Sequence, residues 1–487
     1  MPSANQYMLP FPPLGISLIA GYLSDNGIDS RVDDLEMKSW ESGIIQNGVF
    51  KDFVRFLPNK LNNPKLVFTN QKQVDLYLLN DIQQAKMQNV FIEWEKLLNV
   101  NLHEFTYIGF SILGFGQINT SLCFAKYLKN KYGVKIILGG SFITKKMAIL
   151  LDRYPYLDFI ILGEGERTLL DLLMNKDTSA IPNLIHKLNG KAIINMTDDL
   201  YEDNSLPQMK DLPLELYRKE GILLIPYELS KGCRNNCTFC VTRRKKLHFK
   251  DIETVIKQLS AIKEKYNTDS FVFVDNGINV GKGFSINLCD RIIRNKLGIK
   301  WSAYFIADNP GSTYFKLLKD AGCIQLKWGI ETVGKGALRQ MRKDNNPDLI
   351  LEGLKNSSNA GILNHLIFMV GHPGEKFIEL LYSAIFIFKS RKYFNSASVK
   401  VFHIEPVDWL GAAGDINNNP YYTNKLFERE FFGVKVRGYR DRICWLKYII
   451  LKASLVMAGV RTLRNCSSNK LGSSNTVLYR AFKKNIN

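Results

Sequence analysis

Three features are scarce in this sequence, and each scarcity excludes a class of protein. Eight cysteines scattered over 487 residues do not make the disulfide framework of a small secreted protein. Residues 1–7 contain no Lys or Arg, and prolines interrupt the apolar residues that follow, so we expect no signal peptide. No uninterrupted apolar run reaches the roughly 20 residues that a membrane-spanning helix needs. We therefore expect a cytoplasmic protein of two or three domains in a reducing environment.

Acidic residues are scarce near the carboxyl terminus. The formal net charge is +19, and between Lys435 and Lys484 the only acid is Asp441. The apolar stretch 443–458 in this region could lie as a basic amphipathic helix on an anionic membrane surface. It could also recognise an acidic peptide or a nucleic acid, or pack on the core with its lysines solvated. We favour the core-packed helix, leave peripheral membrane contact open and expect no specific nucleic acid.

Three of the eight cysteines lie in one short loop. Cys233, Cys237 and Cys240 follow an apolar run and precede a basic patch over 243–246. Thiolates this close together suit a metal ion or an iron–sulfur cluster. A closed zinc site needs four ligands, and the nearby His248 lies outside the usual spacing. We favour a four-iron cluster with one open iron, and the alternatives are a structural zinc site or unpaired core cysteines.

Alternating strands and helices predict an α/β fold for the first part of the chain. Continuous apolar runs of strand length begin at Tyr107, Val134 and Leu157, and helical patterns separate them. This alternation is typical of parallel βαβ units, so we predict a doubly wound, Rossmann-like sheet over residues 1–175. We also predict a short strand over 28–35. Glycines follow the strands, where ligands bind in such sheets: Gly114, Gly116, Gly139, Gly140, Gly163 and Gly165.

The second half of the chain repeats the strand–helix alternation. A connector at 176–220, with a short polar hairpin near Asn189-Gly190, is followed by a domain over 221–411 that begins with the strand before the cysteine loop. Five further strands follow, with room for a helix between successive strands, and they begin at Ser270, Trp301, Ile324, His365 and Ser398. Chemistry in barrels of this kind lies at the carboxyl ends of the strands. Residues 412–487 are predicted to be a basic, mostly helical extension.

The cysteine loop resembles the signature of the radical S-adenosylmethionine enzymes, because Phe239 directly precedes the last of the three cysteines. The resemblance implies that Cys233, Cys237 and Cys240 hold a [4Fe–4S] cluster, whose fourth iron binds S-adenosylmethionine. The reduced cluster would cleave the sulfonium to a 5′-deoxyadenosyl radical that removes hydrogen from a substrate. It also implies an electron donor such as flavodoxin or ferredoxin, and a partial (β/α)6 barrel that the six predicted strands match.

The same resemblance implies a site for S-adenosylmethionine at the strand ends. Its predicted residues are Phe239, Asp275, Asn276, Glu331, Thr332, Gly371 and Pro373. Asp275 and Asn276 suit an ammonium group but would equally suit a helix N-cap. Phe239 would pack by the cluster and the adenine, or act as a core aromatic. We interpret His372 as a solvated turn residue, and a role for His403 or Glu405 near the substrate is a guess.

Three short stretches resemble the cobalamin-binding domain that precedes the radical domain in one large subfamily. They are Pro12-Pro13-Leu14-Gly15, Leu138-Gly139-Gly140 and Gly163-Glu164-Gly165-Glu166. The resemblance implies cobalamin-binding residues at Gly114, Gly139, Gly140, Gly163 and Gly165. The chain departs from the subfamily in having little sequence for a strand before the Pro-rich loop. It also has no Asp-x-His-x-x-Gly stretch, which predicts cobalamin without an imidazole ligand from the protein.

Taken with these resemblances, the sequence favours cobalamin-dependent methylation of an unactivated carbon in a natural-product, lipid or peptide substrate. The alternative within the same architecture is a radical cyclase or rearrangement enzyme without methyl transfer. Methylthiolating relatives are disfavoured, since their first domain carries its own three-cysteine cluster and residues 1–220 contain only Cys123. A lesser alternative is a metal-stabilised binding protein that uses its basic tail and catalyses nothing.

Overall fold

We analysed the fold in a computed structural model. It describes residues 11–44, 81–197, 205–240, 246–343, 345–372, 375–404, 426–431, 434–440, 443–462 and 482. Among the candidate site residues named above, Pro373 and Glu405 lie outside these ranges, as does most of the basic patch over 243–246. The predicted domain boundary at 411 also falls outside them.

The first sheet has five strands in the order β1-β2-β3-β4-β5. Strands β1 (Tyr107–Ser111), β2 (Lys135–Gly139) and β3 (Phe159–Ile161) are parallel. Strands β4 (Leu184–Leu188) and β5 (Lys191–Ile194) continue the sheet as an antiparallel hairpin. The three predicted parallel strands are therefore confirmed, and their carboxyl ends lie at one edge of the sheet.

Helices cover both faces of this sheet, which explains why its strands are apolar throughout. Ile136 and Leu138 of β2 belong to one buried cluster, whereas Ile137 between them belongs to another. The first cluster includes residues of the helices Asp81–Leu98 (α3), Phe115–Tyr132 (α4) and Ile149–Arg153 (α5). On the other face lies Glu166–Leu173 (α6), which contacts Leu14–Asp25 (α1).

Two predictions for this region need correction. The predicted α/β arrangement is present: within the described residues the strands follow one another in chain order, and helices lie on both faces of the sheet. The strand predicted over 28–35 is a loop, in which Asp34 instead accepts backbone hydrogen bonds that begin the helix Leu35–Glu41 (α2). Such local side-chain bonds compete with strand pairing. Residues 184–194 of the predicted connector belong to the sheet, because they pair with β3.

The second sheet contains seven strands in the order β17-β13-β12-β11-β10-β9-β6, and all its pairings are parallel. Six of these strands are the predicted ones: Leu224–Tyr227 (β6), Ser270–Phe273 (β9), Lys300–Ile306 (β10), Cys323–Glu331 (β11), Leu363–Val370 (β12) and Ser396–Val401 (β13). The seventh, β17 (Arg461–Thr462), comes from the carboxyl-terminal region. From β6 to β13 these six strands follow one another in chain order across the sheet, which matches the expected partial (β/α)6 arrangement.

Helices connect the strands of the second sheet. They are Ile252–Lys265 (α8), Lys282–Arg294 (α9), Ser312–Asp320 (α10), Lys335–Met341 (α11), Pro347–Asn359 (α12) and Phe377–Ser390 (α13), after the short Leu214–Tyr217 (α7). The core between helices and sheet is aromatic, with Trp301, Trp328 and Phe305 fully buried. Trp328 donates its indole N–H to Asn364 Oδ1 at 2.8 Å, which ties β11 to β12.

The carboxyl-terminal extension is less helical than predicted. Strands β15 (Leu426–Phe431) and β16 (Val434–Arg440) form an antiparallel sheet with β14 (His403–Ile404). Val434-Lys-Val-Arg alternates apolar and basic residues, a period of two that favours a strand. The helix Cys444–Met457 (α14) follows and packs against α13 and β13. Among the described residues, no helix combines the length and apolarity needed to cross a membrane.

Candidate active site

The cysteine loop leaves the sheet at the carboxyl end of β6. Two short antiparallel strands, Ser230–Lys231 (β7) and His248–Phe249 (β8), bracket the loop. Cys237 is buried, Cys233 and Cys240 are half-buried, and none of the three is in a disulfide. Thr238 ties the loop to the end of α11. Its amide donates to the Met341 carbonyl at 3.1 Å, and its hydroxyl donates to the Gln340 carbonyl at 3.0 Å.

The three thiols of the loop are the candidate ligands for a cluster. Within the described residues, no three His, Cys, Asp or Glu side chains are gathered closely enough to hold one metal ion. Burial raises the pKa of Cys237 to about 11, and the charge of Lys343 opposes this rise. A buried thiolate here therefore needs a bound cation to compensate it.

Asp275 fixes the segment that leads into the cysteine loop. Its buried carboxylate accepts hydrogen bonds from the Leu229 amide at 3.1 Å and from the Ser230 amide and hydroxyl, the latter at 2.7 Å. Burial nevertheless raises the pKa of Asp275 to about 6. Asn276 donates from its side chain to the Gly232 carbonyl at 2.6 Å. Both residues end β9 as expected, and binding of S-adenosylmethionine by them stays a prediction.

Glu331 ends β11 in an unusual conformation. Its φ of 61° is left-handed, and the pairing with β12 shifts register beside it. Such backbone is rare for a glutamate and is concentrated at functional sites. Lys343 reaches the Glu331 carboxylate and the Gly329 carbonyl, each at 3.1 Å. Sequence reasoning missed Lys343, whose charge also acts on Cys237 of the cysteine loop.

Thr332, the next residue, has a buried side chain. Its hydroxyl accepts from the Gly334 amide at 3.1 Å and lies 3.3 Å from the Ser383 hydroxyl. These bonds hold the turn after β11, so the side chain positions Glu331. A direct contact of Thr332 with S-adenosylmethionine stays a prediction.

The turn after β12 is locked by a buried ion pair. Gly371 has a φ of 84°, and its amide donates to Glu375 Oε2 at 2.7 Å. The Glu375 carboxylate lies 3.2 Å from Lys447 Nζ, with side chains only 2% and 3% exposed. Lys447 also donates to the Glu375 carbonyl at 2.9 Å. The expectation that the lysines of α14 are solvated is therefore wrong for Lys447, which α14 directs into the site.

His372 is 2% exposed, so the expectation of a solvated turn histidine is also wrong. Its ring packs against Phe402 at 4.8 Å between centroids and lies 6.4 Å from Phe239 of the cysteine loop. Phe239 is also 6.4 Å from Phe402. These three rings join the loop to the carboxyl ends of β12 and β13. His403 pairs through its backbone with Arg440, and its side chain lies outside the described parts.

A cavity of about 1070 Å³ lies between the two domains. Four of the predicted cobalamin residues line it, namely Gly139, Gly140, Gly163 and Gly165, together with the Pro-rich stretch at 13–15. Glu228 and Lys231 of the second domain complete the lining. The volume lies just above the roughly 300–1,000 Å³ of small-molecule sites, so the cavity has room for a large cofactor. Gly114 caps α4 and is not part of the lining.

Gly140 and Gly163 have different structural roles at this cavity. Gly140 has a φ of 105°, and a Cβ there would lie 2.5 Å from the backbone of Ile112. It therefore allows the ends of β1 and β2 to approach closely. Gly163 has a φ of 65°, and a Cβ there would meet no atom within 4 Å. It leaves its backbone open toward the cavity, as close approach by a ligand requires.

Charged residues meet across the domain boundary in this cavity. Glu164 of the first domain lies 2.9 Å from Lys231 of the second. Burial raises the pKa of the neighbouring Glu228 to about 7, with Asp275 and Glu164 adding to the rise. Sequence reasoning missed Glu228, although an acid directly after a buried strand and before the cysteine loop is a recognisable signal.

Comparison with known proteins agrees with this arrangement. Residues 227–386 match the Radical SAM superfamily. An uncharacterized methyltransferase of Pyrococcus horikoshii is 26% identical over 266 residues, which are 52% of this chain and 57% of that protein. An anaerobic magnesium-protoporphyrin IX monomethyl ester cyclase of Rubrivivax gelatinosus is 21% identical over 255 residues, 49% of this chain and 46% of that protein. The chain thus spans about half the length of these relatives.

One solved structure resembles almost the whole chain. It is the radical S-adenosylmethionine methyltransferase TsrM from Kitasatospora setae, with cobalamin and a [4Fe–4S] cluster bound. The TM-score is 0.67 at 15% identity, and the match covers 93% of this chain and 89% of that one. The likeness shows a shared fold. The match over residues 227–386 agrees with the predicted resemblance to the radical S-adenosylmethionine enzymes.

Removing Lys447 should destabilise the protein strongly. We expect Lys447→Ala to lower the free energy of unfolding by about 3–5 kcal/mol, because it leaves the Glu375 carboxylate buried without its cation. Lys452→Ala is the matched control on the same helix, where a half-buried lysine bonds to Tyr448, and should cost less than about 1 kcal/mol. Urea unfolding measures both. Equal losses in the two variants would contradict the assigned role of the pair.

The ionisation of Glu228 should make stability depend on pH. Its pKa rises from 4.5 to about 7 on folding, so between these values the folded state binds more protons than the unfolded chain. The free energy of unfolding should therefore fall as the pH rises through this window. Glu228→Gln should reduce that fall by about 1–3 kcal/mol, measured by urea unfolding near pH 5 and pH 8.

The exposed Glu352→Gln in α12 is the control for this measurement. It should leave the pH dependence as in the wild type. In Glu228→Gln the free energy of unfolding should still fall in part as the pH rises, because the pKa of Asp275 is also raised. An unchanged pH dependence in Glu228→Gln would show that this carboxyl is not buried as described.

Proposed function

This chain contains a radical S-adenosylmethionine domain at residues 227–386, and we propose that it is a cobalamin-dependent methyltransferase acting on an unactivated carbon. The observation that carries the proposal is the shared wall between the two candidate sites. Glu228 and Lys231 line the cavity on the first domain, and Cys233 of the cysteine loop follows two residues later. A cofactor in the cavity would therefore stand next to the loop, close enough for both to act on one substrate.

Each candidate site has a distinct task in this proposal. When bound, S-adenosylmethionine with its cluster would supply a substrate radical, and cobalamin would supply the methyl group. Cys233, Cys237 and Cys240 would hold the cluster. The buried carboxylate of Asp275 keeps the start of the loop in place through its bonds to the backbone. The packed rings of Phe239, His372 and Phe402 would exclude water from the side of the loop that faces β12 and β13.

Binding of S-adenosylmethionine is proposed for the carboxyl ends of β11 and β12. The Glu331 carboxylate, held by Lys343, can accept hydrogen bonds from ribose hydroxyls or from the methionyl ammonium. The Gly371 turn can bring backbone close to the adenosyl group, since a left-handed glycine has no Cβ in the way. Asn276 lies on the opposite side, at the end of β9, and is bonded to the cysteine loop.

Cobalamin binding is proposed for the cavity without a protein imidazole. No histidine occurs among the described residues that line the cavity. Gly139, Gly163 and Gly165 offer backbone at the carboxyl ends of the strands, where ligands bind in parallel sheets. The lining is mainly apolar on the side of α1, which suits the face of a large macrocycle. The substrate is proposed to be a small natural product, a lipid or a peptide.

A radical cyclase is the second candidate, because one relative of this chain is an anaerobic cyclase. The two functions differ in what they consume. Methyl transfer uses one S-adenosylmethionine to form the radical and another to remethylate cobalamin, so it releases S-adenosylhomocysteine. Cyclisation needs no methyl donor and changes the substrate by loss of hydrogen or gain of oxygen.

The test uses full-length protein reconstituted anaerobically with iron, sulfide and cobalamin. With S-adenosylmethionine and a reductant, we expect mass spectrometry to detect 5′-deoxyadenosine together with S-adenosylhomocysteine. The triple variant Cys233→Ala, Cys237→Ala, Cys240→Ala should release no 5′-deoxyadenosine, because the cluster has lost all three protein ligands. Cys289→Ala, which removes a buried cysteine of α9, is the matched control and should behave as the wild type.

The outcomes separate the candidate functions. Formation of 5′-deoxyadenosine alone, with cobalamin present, would contradict methyl transfer and favour the cyclase. Formation of neither product by the wild type would contradict a radical function altogether and would leave the binding protein as the explanation.

A further inference from the structure

Helix α13 carries an exposed apolar stripe on the outside of the second domain. Large apolar side chains that are 38–51% exposed recur along one side of it: Phe377, Ile378, Leu381, Tyr382, Ile385 and Phe388. Their spacing places them on one helical face. A stripe of this kind along a whole helix is unusual on the surface of a soluble monomer.

Helix α14 packs beside α13 and adds a second apolar stripe. Its exposed side chains are Trp445, Leu446, Ile449, Val456 and Met457, between 45% and 69% exposed. The opposite face of α14 is buried and includes Lys447, Leu451 and Leu455. We call the two exposed stripes together the apolar face.

The exposed charges on α13 and α14 themselves are basic. The acid of α13, Glu379, is turned inward, and its carboxylate accepts from the Gly336 amide at 2.6 Å. Exposed lysines or arginines stand at both ends of the helix: Lys376, Lys389, Arg391 and Lys392. Helix α14 has no acidic residue, and the half-buried Lys452 lies along it. The apolar face thus has positive charge at both ends of α13, its basic border, and no exposed carboxylate on either helix, and the exposed acids Asp348 and Glu352 lie on the neighbouring α12.

This combination selects among possible partners. A second copy of the chain, related by a twofold axis, would place one basic border against the other, and like charges would oppose the contact. An acidic peptide would match the border but would leave most of two helical stripes uncovered. An anionic bilayer offers negative headgroups for the border and an apolar interior for the stripes. Trp445 and Tyr382 have the amphipathic rings that favour the bilayer interface.

We propose that α13 and α14 dock this protein on the surface of an anionic lipid bilayer. The helices would lie in the plane of the interface, with the apolar face inserted and the basic border at the headgroups. Because Lys447 on the inner side of α14 pairs with Glu375 of the Gly371 turn, the docking helix also supports the candidate active site. The proposal rests on the surface alone and is independent of the reaction catalysed.

The experiment is sedimentation of the full-length protein, reconstituted anaerobically, with lipid vesicles. We expect binding to vesicles of phosphatidylcholine with about one-third phosphatidylserine, and little binding to phosphatidylcholine alone, because the basic border needs anionic headgroups. Leu381→Glu and, separately, Ile449→Glu should weaken binding by about tenfold or more, since each places a charge in the inserted stripe. High salt should weaken wild-type binding as well.

The matched control is Leu349→Glu on α12, where a leucine is 45% exposed outside the apolar face. It should bind vesicles as the wild type does. Size-exclusion chromatography with light scattering on the same samples tests whether a second copy of the chain covers the apolar face. Equal binding by Leu381→Glu and Leu349→Glu, or no binding by the wild type, would overturn the proposal. A wild-type dimer that becomes monomeric in Leu381→Glu would assign the apolar face to a second copy instead.

Discussion

The arrangement of both candidate sites depends on the buried carboxylate of Asp275. It accepts hydrogen bonds from the backbone of Leu229 and Ser230, the two residues that separate Glu228 from Lys231. Those flanking residues line the cavity on the first domain, and the cysteine loop begins two residues further on. One side chain at the end of β9 therefore sets the position of the cavity wall and the start of the loop together. Burying a carboxylate is costly unless its oxygens are bonded, and here several donors from one loop provide that compensation.

A second buried charge makes the extension part of the site. The Glu375–Lys447 pair joins the turn after β12 to α14, and β17 adds a strand to the edge of the second sheet. The extension thus completes the domain instead of trailing from it. The outer side of the same helix carries the apolar face. Helix α14 accordingly supports the turn of the candidate site and carries part of the proposed contact with lipid, through residues on opposite sides.

The sequence predicted the parallel strands and the cysteine loop well, because these depend on local patterns. Strands buried on both faces are apolar without interruption, and the ligands of the loop lie within eight residues of one another. The strand order of the first sheet was not predicted, since it depends on pairing between distant segments. The hairpin near Asn189-Gly190 was predicted, but its pairing with β3 was not, for the same reason. Burial of His372 and Lys447 was also missed: each looks polar locally, and only a distant element covers it.

The central claim is that one chain holds an iron–sulfur cluster and cobalamin at adjacent sites. The most direct measurement is the metal content of the full-length protein after anaerobic reconstitution and gel filtration. The account predicts about four irons per chain together with cobalt close to one per chain, and the optical bands of both cofactors in the same fraction. Retention of iron with loss of cobalt would contradict the assignment of the cavity, and loss of both would contradict the account as a whole.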